Sequence, residues 1–319
     1  MKPLIKKIVV LTMIAVVAVF FATSCETQKQ DDKKGKLKIV TVMYPQFDFA
    51  SHIGKDKADV KMLLKPGAES HSYEPSPQDI KDIQNCDLFI WTGGENEQWV
   101  EDILKDCGDK APKSIKLVDM VDTVEEEIVD GMEHHHDEGE EHHHDIDEHV
   151  WTSPENVINI CKQICREMKK LDKDNGSYYQ DNCKEYTDSI DKLDKETKEV
   201  VENGVRKTIV VGDRFPLRYF ADHYGLKYYA AFPGCSDQAD ADASTIAFLI
   251  EKVKAENIPV VFNIELSDGK IADSICEATG SKKMTIYSGH NVSEKEFKKG
   301  MSYTDMMQKN KDALKVALN

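Results

Sequence analysis

The stretch SYYQDNCKEYTDSIDKLDKETKEVVENG, Ser177–Gly204, carries Tyr179, Cys183, Tyr186, Ile190, Leu193 and Thr197 at intervals of three and four. That spacing places them along one face of a long amphipathic helix. On either side the pattern changes to short β-rich runs alternating with helical segments. Upstream, LKIVTVMY, DVKMLLKPG, DLFIWTGG and KSIKLVDM read as strands, with PQFDFASHIG, SPQDIKDIQNC and ENEQWVEDILKDC as helices among them. Downstream, KTIVVG, LKYYAAF, IPVVFNI and KKMTIYS read as strands, separated by PLRYFADHYG, ASTIAFLIEKVKAEN and KIADSICEATG, and a last helix begins near Ser302. Strands with intervening helices imply parallel sheets covered on both faces. The expected fold is therefore α/β: two lobes, each a mostly parallel sheet flanked by helices, joined by one long rigid helix. The expected bounds are 37–173 for the first lobe, 174–203 for the linking helix and 204–319 for the second lobe.

Ahead of the first lobe, residues 1–24 combine Lys2, Lys6 and Lys7 with the apolar run IVVLTMIAVVAVFFA and small residues before Cys25. These are the three parts of an export signal, and the run is short for a membrane span. The sequence ATSC resembles the bacterial lipobox, which implies cleavage before Cys25, lipidation of that cysteine and attachment to a membrane. Residues 25–36 are polar and charged after the cysteine and read as a flexible tether. Loss of residues 1–24 removes three lysines and no carboxylate, so the net charge falls from −16 to −19. Such a chain is a poor partner for nucleic acid, whose phosphates require a basic face, and a better one for a cationic ligand.

With Cys25 lipidated, seven of the eight cysteines remain. An odd number leaves at least one unpaired, and no CxxC zinc pattern occurs. Cys161 and Cys165 lie on the apolar stripe of a helix and read as small buried hydrophobes; a Cys86–Cys107 pairing is left open.

Residues 124–148 contain twelve carboxylates, six histidines and no lysine or arginine. Such a segment cannot build a core and is expected to be a mobile surface loop. Its triplets, His134, His135 and His136 and then His142, His143 and His144, are expected to give weak, multiple, rapidly exchanging metal sites, because each capture must order the chain. His149 differs: it stands outside the triplets and leads directly into VWTSPENV, the start of an ordered helix. His71, in KPGAESHSYEPSPQDI, falls between the end of a strand and the start of a helix, where open parallel sheets bind ligands. A histidine there can offer one ring nitrogen to a metal while its other N–H is held.

GAESHSYEPSPQDI followed by DEHVWTSPENV resembles two motifs of the metal-binding solute-binding proteins of bacterial ABC importers, the zinc and manganese uptake lipoproteins. The similarity extends over nearly the whole mature chain: an acidic, histidine-rich insertion ahead of the second motif, a long linking helix, YFADHYGL, and the tail GMSYTDMMQKNKDALKVAL. The resemblance implies a metal site in the cleft between the lobes with His71 and His149 as ligands. In the second lobe the chain departs from the commoner pattern, since VVGDRFPLRYF has Gly212 where many members place a histidine or glutamate. Asp213 and Glu265 are alternative carboxylate ligands, Asp213 also reading as a helix cap or partner for Arg214, and Glu265 as a residue that orients a ligand. His290, at a strand end in MTIYSGHNVS, is expected to supply the second lobe's nitrogen, whereas His223 in ADHYGL reads as exposed. Tyr73, Trp151 and Phe232 are candidates for an apolar wall.

Three imidazoles and one carboxylate suit Zn(II) in a closed four-coordinate site; Mn(II) prefers more carboxylate. The implied function is extracytoplasmic capture of Zn(II) for a membrane permease driven by an ATPase, by a monomer that performs no catalysis. A manganese-specific member of the same family, a metal-dependent adhesin and a secreted zinc hydrolase are the alternatives. The hydrolase would need an open coordination position and a general base, yet HExxH and GxSxG are both missing.

Overall fold

The computed structural model describes residues 35–70, 73–132, 146–235 and 241–319. Its first sheet contains β1 (Leu37–Thr41), β2 (Ala58–Met62), β3 (Leu88–Trp91) and β4 (Lys113–Lys116), in the order β2-β1-β3-β4. The second contains β5 (Thr208–Phe215), β6 (Lys227–Pro233), β7 (Val260–Ile264) and β8 (Lys282–Ile286), in the order β6-β5-β7-β8. Every pairing in both is parallel. The inner strands β3, LFIW, and β7, VVFNI, are buried along their whole length, as helices on both faces require. The outer strands β4, KSIK, and β8, KKMTI, carry lysines, which blunt an exposed edge.

The linking helix runs from Gly176 to Asn203, about 42 Å at the usual rise. Tyr179, Cys183, Tyr186, Ile190 and Thr197 face inward as their spacing demands. It is fastened to both halves. Tyr186 donates to Asp48 Oδ2 (2.7 Å) and Asn182 to the Ile53 carbonyl (3.0 Å) on the helix Tyr44–Gly54. Toward the second sheet it meets Lys311 through Glu196 and His223 through Asp194 (2.7 Å). His223 is therefore hydrogen-bonded to a carboxylate, with a side chain only 10% exposed, not the exposed residue its helix position suggested, because Asp194 lies on the buried face of the linking helix. One continuous set of buried apolar side chains includes residues of both sheets, from Ile39 and Phe89 to Ile209 and Phe262.

The acidic segment is not a mobile loop along its full length. Glu125 and Ile146 form an antiparallel bridge, and Asp147 N donates to the Val124 carbonyl (2.9 Å). Met132 is buried, and Gly131 accepts a hydrogen bond from Thr245 Oγ1 (3.0 Å). Tyr228 donates to Glu127 Oε2 (2.9 Å). Hydrogen bonds from Tyr228, Cys235 and Thr245, together with buried Met132, dock the end before the triplets onto the second half. The triplet histidines, within 133–145, lie outside the described residues, as do the export signal and Cys25. All seven described cysteines are free thiols, Cys86 and Cys107 included, and Cys161 and Cys165 are buried as expected. Among the described residues no helix is long and apolar enough to cross a membrane.

Candidate metal centre

His149 is placed by the helix that follows it. Pro154 opens that helix, Pro154–Leu171, and Ser153 caps it by accepting from Asn156 N. A single turn, Val150–Thr152, separates the cap from His149, whose carbonyl accepts Thr152 N (3.0 Å) and Oγ1 (2.9 Å). Asp147 Oδ1 accepts both the backbone N–H and the ring Nδ1–H of His149, each at 2.8 Å. A carboxylate oxygen only accepts, so the ring proton sits on Nδ1 and the lone pair on Nε2. The ring is 0% exposed. Burial disfavours its cationic form, but the charge and hydrogen bond of Asp147 outweigh that and hold its pKa above the usual value.

His290 arrives from the other half, just past β8. Its Nδ1 lies 2.8 Å from Ser288 Oγ, and that hydroxyl lies 2.6 Å from Glu265 Oε1. The hydroxyl has one proton, which goes to the carboxylate; the ring must then donate from Nδ1, again leaving the lone pair on Nε2. Glu265 is anchored further by Ser288 N (2.7 Å) and Gly289 N (2.8 Å). The centroids of the His149 and His290 rings are 4.6 Å apart with an interplanar angle of 74°. Trp151 packs edge-on to both, at 5.5 and 5.1 Å, and its Nε1 donates to the Ser288 carbonyl (3.0 Å). Of the residues expected to form an apolar wall, Trp151 is the one in ring contact with both histidines; Phe232 is buried in the second half's own core, and Tyr73 packs on Trp99.

The two expected carboxylates sit differently. Both oxygens of Glu265 are engaged by Ser288 and Gly289, so it positions His290 as the arrangement stands. Burial raises its pKa against the pull of those donors. Asp213 accepts from Arg214 N (2.9 Å), and burial raises its pKa despite the Ser267 hydroxyl. Gly212 has no room for a side chain, since a Cβ there would lie 2.7 Å from Ala272 Cα. A ligand at that position is excluded by helix-on-sheet packing.

Two residues beside His149 were not foreseen. Donor atoms of Glu148, His149 and Cys235 all lie within 4.8 Å of one another. Glu148 is 5% exposed, and Gly94 is pressed so close that a Cβ would overlap its Oε2. Burial raises the Glu148 pKa, and burial with the nearby charges of Glu148, Glu126 and Asp147 pushes the Cys235 thiol up. Behind Glu148, Glu97 is buried and pushed up to about 8 by that burial, against the N–H groups of Gly93 and Thr92. Glu148 was hidden in the run of carboxylates. Cys235 had a usable signal, since it ends the β6 segment YYAAFPGC, and ligands collect at the carboxyl ends of parallel strands.

His71 lies outside the described residues. Its neighbours Ser70 and Tyr73 line one cavity with Glu148, Asn96 and Glu97. The chain leading to it is tied to the other half: Asn291 Nδ2 donates to the carbonyls of Lys65 (2.8 Å) and Ala68 (2.9 Å), and Gly67 N to Val292 O (2.8 Å).

Residues 39–317 match the family model described as zinc-uptake complex component A, periplasmic. The chain is 35% identical over 291 residues to the high-affinity zinc uptake system protein ZnuA of Bacillus subtilis, covering 90% of this chain and 89% of that one. It is 30% identical to the zinc-binding protein AdcA of Streptococcus pyogenes serotype M3 over 96% of its own length, and spans 61% of that longer relative. Among solved structures, the Zn(II)-bound ZnuA-like domain of Streptococcus pneumoniae AdcA superposes with a TM-score of 0.73 at 29% identity, covering 89% of this chain and 99% of the domain.

Proposed function

This chain belongs to the zinc-uptake complex component A family, and from that premise we propose that it captures Zn(II) outside the cytoplasm and hands it to a membrane permease powered by an ATPase. The observation that carries this is the meeting of His149 and His290, one from each half, with rings 4.6 Å apart and both Nδ1 positions fixed. Pre-set Nε2 lone pairs in a buried, carboxylate-rich setting are what a divalent cation requires. His71 is the third imidazole, from the loop held by Asn291. Glu265 takes the orienting role, and Glu148, whose donor atom lies within 4.8 Å of that of His149, is favoured over Asp213 as the oxygen donor. The chain is exported and anchored through lipid on Cys25, acts as a monomer, and binds rather than transforms its ligand.

Zinc closes a site between halves that already share a core and a helix, so release involves a small rearrangement. The triplets in 133–145 serve as a weak, fast-exchanging reservoir.

Zinc titration of the full chain and of a form lacking 133–145 tests this. That deletion removes no residue of the Glu125–Ile146 bridge or of the Gly131–Thr245 bond. One tight equivalent is expected in both, lost in His149→Ala. Loss of the tight equivalent on loop deletion alone would move the main site to the loop.

A further inference from the structure

We infer that Cys235 is a metal ligand, binding through its sulfur the same ion as His149 and Glu148. This rests on the proposed metal site and strengthens the preference for Zn(II) over Mn(II) that imidazole and carboxylate already give it.

The geometry is specific. Nitrogen, oxygen and sulfur donors within 4.8 Å of one another can share one ion, since zinc bonds run about 2.0–2.3 Å. His149 and Glu148 are 0% and 5% exposed. Gly234 brings the end of β6 against the imidazole: a Cβ there would lie 3.1 Å from His149 Cε1, 3.0 Å from Phe215 O and 3.1 Å from Pro216 Cα. A side chain there would push the imidazole or the Phe215–Pro216 backbone aside by a few tenths of an ångström, and the next residue is Cys235. Its backbone N–H donates to Glu126 Oε1 (2.8 Å), so the docked acidic segment fixes the turn that carries the thiol. Three elements therefore converge on one cysteine: the start of the His149 helix, the end of β6 and the segment 124–132.

When the S–metal bond forms, the S–H bond breaks and its proton leaves to solvent; nothing is oxidised. A thiolate in the set favours Zn(II), Co(II) or Cd(II) over Mn(II), a hard ion that prefers oxygen. The cysteine thus answers, by ligand chemistry, which of the two metals the site takes.

Co(II) titration of the full chain reads the bond directly. A Co(II) spectrum with an intense near-ultraviolet sulfur-to-cobalt band is expected at one equivalent. In Cys235→Ser the band disappears, one Co(II) still binds, and Zn(II) affinity falls by roughly tenfold or more, while selectivity over Mn(II) shrinks. One tight equivalent in the wild type without that band, or a band that persists in Cys235→Ser, overturns the inference while leaving the histidine site intact. Unaltered tight binding in His149→Ala would instead sink the metal site on which the inference rests.

Discussion

Replacing Ser288 by alanine cuts the link between Glu265 and His290 without touching either. Three interactions go: the hydroxyl's bond to Glu265 Oε1 (2.6 Å), the one with His290 Nδ1 (2.8 Å) and the one it accepts from His290 N (3.4 Å). Much stays. Ser288 N and Gly289 N still hold Glu265, and Trp151 still donates to the carbonyl of residue 288. Ser288 is 0% exposed, so no water replaces the hydroxyl without rearrangement. The ring of His290 loses the hydrogen bond that sets its tautomer, while its packing against His149 and Trp151 remains. Losses of this kind weaken metal affinity by about 10- to 100-fold, or about 1.4–2.8 kcal/mol. Competition for zinc against a chromogenic chelator measures the change, and the thermal melt of the metal-free protein reports whether the fold has suffered. Unchanged zinc affinity together with an unchanged melt would show that Ser288 does not position a ligand, and the role given to Glu265 would fall with it.

Asn291→Ala removes both bonds to Lys65 O and Ala68 O; a destabilisation of about 1–3 kcal/mol and faster zinc release in stopped-flow are expected, and an unchanged release rate would detach that loop from the site. Gly234→Ala must displace backbone atoms or the His149 ring, so a loss of about 1–3 kcal/mol with weakened zinc binding should appear in melts and titrations; a neutral effect would contradict the close approach. Asp194 is held down to about 2 from 3.8: burial pushes it up, but His223 and Lys198 outweigh that. A depressed carboxylate stabilises the fold above its unfolded value and loses that contribution as pH falls from about 4 to 2, so Asp194→Asn should cost about 2 kcal/mol near neutrality and flatten that part of the acid-denaturation curve. A variant that keeps the wild-type acid limb would refute this.

The fold was legible because its signals are local and repeated. LFIW is apolar throughout and VVFNI is apolar but for Asn263, and the linking helix keeps one face for 28 residues. His149 and His290 were reachable from sequence because each stands at the edge of an ordered element, one before a capped helix and one after a strand. Partners made by tertiary contact were not. Asp147 and Glu148 look like any other carboxylates in an acidic run until the bridge between Glu125 and Ile146 brings them inside. His223 looked exposed because helix position says nothing of Asp194, 29 residues away. Gly212, read as a missing ligand, is explained by Ala272, which no local pattern reveals.

The proposed zinc ligands are not held with equal firmness, and the difference indicates where release begins. His149 is secured by Asp147, by Thr152, and by a helix that packs on the linking helix, while Trp151 beside it is fully buried and bonded to Ser288 and Tyr303. Moving it would open the continuous core, at the cost of the apolar burial that holds the halves together. The loop leading to His71 is attached to the other half differently, by Asn291, by Gly67 N to Val292 O, and by the Arg214–Glu69 ion pair (3.1 Å) with Glu69 half exposed. Among the described residues these bonds are polar, and an ion pair open to water contributes little, about 1 kcal/mol or less. Local opening of residues 65–70 therefore requires far less free energy than separation of the lobes. On the proposed function, the ion leaves through that edge, with His149 and His290 still in place to receive the next one.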